Sequence, residues 1–102
     1  MKPSVRYIIS KDNVYRAILD CLMELEVASL KDLIACIAGE YPDALRAPET
    51  IRRRLSTLES LGVVEKHVAT TSVRKDVWSV KKSVAKDLRR ALDQNRSDSL
   101  RK

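Results

Sequence analysis

The sequence is short of nearly everything from which enzyme and metal sites are built. One histidine and two cysteines among 102 residues leave little material for acid–base chemistry. Cys21 and Cys36 have no His or further Cys at metal-ligand spacing, and Cys21 falls on an apolar helical stripe. Both therefore read as free thiols, and no metal, cofactor or enzymatic activity is expected. There is no glycine-rich phosphate loop, since the chain has only two glycines. With one Trp, three Tyr and no Phe, it also lacks the exposed aromatics on which single-stranded RNA bases stack, which ranks an RNA-binding reading last. The longest apolar run, Leu33 to Ala38, falls far short of the ~20 residues of a membrane helix, and the N-terminus has no signal-peptide core. An intracellular, cytoplasmic protein with no membrane partner is expected.

What is present describes a folded, basic protein. Hydrophobic residues make up 44% and charged residues 33%, the balance of a soluble globular chain, and the length suits one domain with one modest core. Twenty Lys and Arg against 14 Asp and Glu give a net charge of +6, which favours polyanionic partners.

Residues 1–11 are expected as an N-terminal arm, the stretch SVRYIIS leaving open an extended segment, a strand or a frayed turn. From an N-cap at Asp12 or Asn13, Val14, Ile18, Cys21, Leu22 and Leu25 recur at helical spacing as far as about Glu26. Tyr15, Leu19 and Met23 add a second apolar row, so something else must cover it. Ser29 with Asp32 approximates a capping box for a helix carrying Leu30, Leu33, Ile34 and Ile37, which Gly39 is expected to end. The connection EYPDALRAP leads to Pro48, well placed as the first residue of a third helix in which Ile51, Leu55 and Leu58 share a buried face. After Gly62, valines and Trp78 mark residues 63–80 as two strands around the polar loop ATTSVRK. Residues 81–95 form a last helix with Val84, Leu88, Ala91 and Leu92 on one stripe, and residues 96–102 are expected to fray as a flexible tail. The predicted class is α+β, mainly α.

Three helices followed by a hairpin, with TIRRRLSTLESLGVVE (residues 50–65) running from helix into strand and DVWSV (residues 76–80) returning, resembles the recognition helix and wing of winged helix-turn-helix transcriptional regulators. The resemblance covers residues 12–80 and the superfamily rather than one regulator. It implies a recognition helix at about residues 48–61 and a two-stranded wing with its tip at about 69–75, to which the helix read at residues 81–95 is an extra C-terminal element. EYPDALRAP is longer than the tight turn usual between the second and third helices of this superfamily.

On a helical projection Arg53, Ser56, Thr57 and Ser60 point away from the core direction, with Thr50, Arg52 and Arg54 on the flanks. Such a fan suits a helix lying in a groove between two phosphate walls. Guanidinium groups match guanine as well as phosphate. Only Glu59 is placed at about i+4 to neutralise the set. The candidate DNA-binding residues are therefore Thr50, Arg52, Arg53, Arg54, Ser56 and Thr57, joined by Arg74 and Lys75 on the wing. Against this stands the plain reading that an exposed helix face carries charge anyway. The expected function is sequence-specific double-stranded DNA binding by a transcriptional regulator, and the alternative is a winged-helix protein-interaction module. The Tyr15, Leu19, Met23 row and the Val84, Leu88, Leu92 stripe pack either on each other or against a second copy, the latter making a homodimer on palindromic DNA.

Overall fold

Two apolar rows on a single helix make the element around which the rest is arranged. Asp12 starts that helix, α2 (Asn13–Leu25), its Oδ1 accepting from the backbone N–H of Val14 at 2.8 Å and of Tyr15 at 3.3 Å. Val14, Ala17, Ile18, Leu19, Cys21 and Leu22 are all buried along it. The computed structural model describes residues 3–68 and 76–100, with residues 95–100 as backbone only.

Of the second row of α2, Leu19 is fully buried within the chain and Tyr15 and Met23 are half-buried. Residues expected as an arm form helix α1 (Pro3–Lys11), whose Val5 and Ile9 stand one turn apart and are fully buried. Nine residues are too few for a stable isolated helix, so packing on α2 is what holds α1, and periodicity over so short a stretch could not announce it. Residues 96–100 of the expected tail continue the last helix: α5 runs Lys82–Leu100 rather than stopping near residue 95, since no Gly or Pro interrupts residues 82–100. Helix α5 packs on both α1 and α2.

A short strand, β1 (Val27–Ser29), follows α2 through Glu26, a non-glycine residue at φ 68°. It adds to the hairpin of β2 (Val64–His67) and β3 (Val77–Val80), giving an antiparallel three-stranded sheet of order β1-β3-β2 where two strands were expected. Ala28 and Lys66 flank Trp78 in register, and Val64 faces Val80. Trp78 is buried at the centre of the sheet, a core plug as its valine neighbours predict. Three residues are too few to show a period of two, which is why β1 escaped the sequence.

Ser29 then caps α3 (Leu30–Glu40) through a complete capping box: its Oγ accepts from Asp32 N–H at 3.2 Å, and Asp32 Oδ2 accepts from Ser29 N–H at 3.3 Å. Gly39 does not end this helix, which continues to Glu40. The break falls at Tyr41, because the following Pro42 disfavours helical backbone at the residue before it. A 3-10 turn, Pro42–Ala44, takes up part of the connection to α4 (Pro48–Ser60), where Pro48 occupies the first turn as expected. Gly62, at φ 78°, closes α4. Val63 N–H reaches Leu58 C=O and Gly62 N–H reaches Glu59 C=O, each at 3.0 Å, with Leu58 and Val63 both buried beneath the turn. That cap aims the chain directly into β2.

Candidate nucleic-acid interface

Burying Ile51, Leu55 and Leu58 turns the opposite face of α4 outward. Arg52, Arg53, Ser56, Thr57 and Ser60 are all exposed there, while Thr50 is half-buried at the start of the helix. Arg53 is 82% exposed and lies 3.9 Å from Glu49, one turn earlier, so Glu49 rather than Glu59 is its acidic neighbour. A contact of that length between two exposed side chains holds neither in place. Thr57 Oγ1 donates back to Arg53 C=O at 3.2 Å, which keeps its hydroxyl close to the helix barrel.

Beside this face runs an open groove of about 530 Å³, lined among others by Lys31, Arg52, Ser56, Lys66 and Trp78. Lys31 comes from the first turn of α3 and Lys66 from β2, and Asp76 answers Lys66 at 3.4 Å. Among the described residues three cations from three elements thus share the groove with one acid, a local excess of positive charge beside the outward face of α4. Lys31 and Lys66 were not among the residues singled out by sequence. The only signal for Lys31 was its place one residue into a capped helix, and Lys66 resembled any polar strand residue. His67, next along β2, is exposed and shares a 2.8 Å hydrogen bond with Ser79 Oγ across the sheet.

Arg54 departs from the expected fan. Its Nη1 donates to Asp12 Oδ2 at 2.5 Å and its guanidinium sits 4.7 Å from the centroid of the Tyr15 ring. The pair is only 28% and 31% exposed. Partial burial pushes the Asp12 carboxyl up. The hydrogen bonds from Arg54, Val14 and Tyr15, with the Arg54 charge, outweigh that and leave it below its ordinary value. Asp12 thereby caps α2 with one oxygen and anchors α4 with the other. Arg54 is a tether between helices, not a free probe of the solvent.

No protein-family model matches the sequence, and no curated protein does. Solved structures do resemble the fold. YodB from B. subtilis, in its diamide-treated form, superposes with a TM-score of 0.70 at 18% identity, over 95% of this chain and 90% of that one. A transcriptional regulator homologue from Pyrococcus horikoshii OT3 gives 0.68 at 18% identity, over 92% and 88%. A transcriptional regulator from Clostridium thermocellum gives 0.67 at 13% identity, over 97% and 91%. The chain has the winged helix-turn-helix fold.

In winged-helix terms α3 and α4 are the helix-turn-helix pair and β2 with β3 is the wing, while α1 and α5 lie outside that unit. Arg74 and Lys75, expected at the wing tip, lie outside the described residues. The two apolar stripes, expected to pack either on each other or against a second copy, are largely taken up within the chain. Leu19, Leu88 and Leu92 are buried in the single-chain core, because α5 packs on α2 of its own chain. Tyr15 lies under Arg54, so of the six only Met23 and Val84 remain as partly buried residues without such a role. Among the described residues no helix is long and apolar enough to cross a membrane.

Proposed function

We propose that this winged helix-turn-helix protein is a transcriptional regulator that binds double-stranded DNA sequence-specifically, with α4 in the major groove. The observation that carries the reading is the outward face of α4: Arg52 and Arg53 exposed, small hydroxyl residues Ser56 and Thr57 beside them, and Lys31 and Lys66 on the adjoining groove. Small side chains permit close approach of the helix barrel to base edges, and Arg53, at the centre of the face, is the residue for guanine. Arg52, Lys31 and Lys66 are assigned to phosphate, and Arg74 and Lys75 to the backbone or minor groove beside the wing. The transcriptional regulators of similar fold support the regulator role. A homodimer on a palindromic operator completes the reading, its interface including the partly exposed Met23 and Val84.

The test is fluorescence-anisotropy binding to random-sequence duplex DNA at two salt concentrations, followed by selection of an operator from the bound pool. Salt-sensitive binding that Arg52→Ala with Arg53→Ala largely removes is the expected outcome. Absence of binding by the native protein at low salt refutes the reading and turns the α4 face into a candidate protein-docking surface.

A further inference from the structure

The two cysteines, unremarkable in the sequence, meet in the fold. Cys21 lies on the buried side of α2. Cys36 and Glu40 stand one turn apart on α3, which packs against α2. Cys21 Sγ, Cys36 Sγ and a Glu40 carboxylate oxygen all lie within 4.8 Å of one another, and Cys36 Sγ is 3.6 Å from Glu40 Oε2. A tetrahedral ion with bonds of about 2.3 Å to sulfur and about 2.0–2.2 Å to oxygen places neighbouring ligands about 3.5–3.8 Å apart. The Cys36 to Glu40 separation already has that length, and the other two sides of the triangle are no longer than 4.8 Å. The site grades from buried Cys21 through half-buried Cys36 to exposed Glu40, so an ion has a way in from solvent.

We propose that Cys21, Cys36 and Glu40 form a binding site for one thiophilic divalent cation of the zinc class, with water in the fourth position. Two thiols and a carboxylate select zinc over magnesium or calcium, whose preference is for oxygen alone. The ion replaces the two thiol protons, which leave to solvent as the metal–sulfur bonds form, so binding is a metal-for-proton exchange with no redox change.

The Glu40 carboxylate beside the two thiols gives the cluster an acidic, solvent-facing side that suits a dication. An ion here staples α2 to the last turn of α3, the turn from which residues 41–47 lead into α4.

The experiment is an anaerobic titration of the reduced full-length protein with Co(II), displaced by Zn(II), followed by absorption and proton release. One Co(II) per chain with a sulfur-to-metal charge-transfer band, two protons released per ion, and protection of Cys36 from alkylation are expected. Cys36→Ser should weaken binding at least about tenfold and reduce the charge-transfer intensity, and Glu40→Gln, at an exposed position, should weaken it by a similar factor without touching the core. His67→Ala should change nothing. Absence of the charge-transfer band, affinity unchanged in Cys36→Ser, or a metal that leaves Cys36 open to alkylation each overturns the site. Loss of both thiols to a disulfide on mild oxidation, with no metal uptake in the reduced form, overturns it too and makes the pair a redox element.

Discussion

Replacing Arg54 with alanine separates two roles that lie side by side in the Arg52–Arg54 triplet. Its guanidinium donates to Asp12 at 2.5 Å and covers Tyr15, with 28% and 31% of the two charged side chains exposed. Solvent screening reduces such a pair well below its Coulomb energy in a dry interior, toward about 1 kcal/mol, and the cation–π contact adds about 0.5–1 kcal/mol. Arg54→Ala should therefore cost about 1–2 kcal/mol of stability. Asp12→Ala should cost about 2–3 kcal/mol, since it removes the cap of α2, worth about 1 kcal/mol, along with the pair. The double substitution should lose less than the sum, leaving a coupling of about 1 kcal/mol. Urea unfolding followed by far-UV circular dichroism measures all four corners of the cycle, provided the slopes agree. On DNA, Arg52→Ala should lower the salt slope by about 1 and Arg53→Ala should relax base preference, whereas folded Arg54→Ala should keep both. An Arg54→Ala protein as stable as the native one, with coupling inside the ~0.3 kcal/mol error of additivity, refutes the tether. So does a loss of DNA affinity at Arg54 equal to that at Arg53.

Acid should dismantle the same contact. The Asp12 carboxyl is held below its ordinary 3.8 in the folded chain, so its contribution is fully present above that value and drains away as pH falls below it. Asp12→Asn, which keeps the cap and loses the charge, should show a shallower fall in stability below pH ~4 in acid unfolding. The two glycines should respond with opposite signs to alanine. Neither would bring a Cβ within 4 Å of anything, so backbone conformation decides: Gly62→Ala, at φ 78°, should cost about 1–2 kcal/mol, and Gly39→Ala, inside α3, should gain up to about 1 kcal/mol. Thermal unfolding checks both. Leu88→Ala should cost about 2–5 kcal/mol and loosen α5 from α2, read as faster amide exchange along α5, because Leu88 is fully buried.

The legible parts of the fold were those with a repeating signal or a local chemical rule. Val14, Ile18 and Leu22 announced α2, Ile51, Leu55 and Leu58 announced α4, and Asp12, Ser29, Pro48 and Gly62 marked boundaries that the backbone respects. Gly39 was misread because a glycine near a helix end is permitted to cap it but not obliged to, and Pro42 three residues later was the stronger signal. Helix α1 and strand β1 were too short to show a period, and both exist because other elements cover or pair with them.

The same division runs through the candidate site. By itself the sequence determined which residues face away from the core of α4, since that follows from 3.6 residues per turn and three buried apolar positions. It also determined that the chain carries excess positive charge and that a helix runs through Gly62 into a strand. Only the tertiary structure decided that Arg54 belongs to Asp12, 42 positions away, and that Leu19 and Leu88 are buried in the core of one chain. It alone brought Lys31 and Lys66 beside Arg52, and set Cys21 against Cys36 and Glu40. Side-chain period and caps are properties of neighbours along the chain. Which charges pair and which thiols converge depends on how helices pack, and no local pattern encodes that.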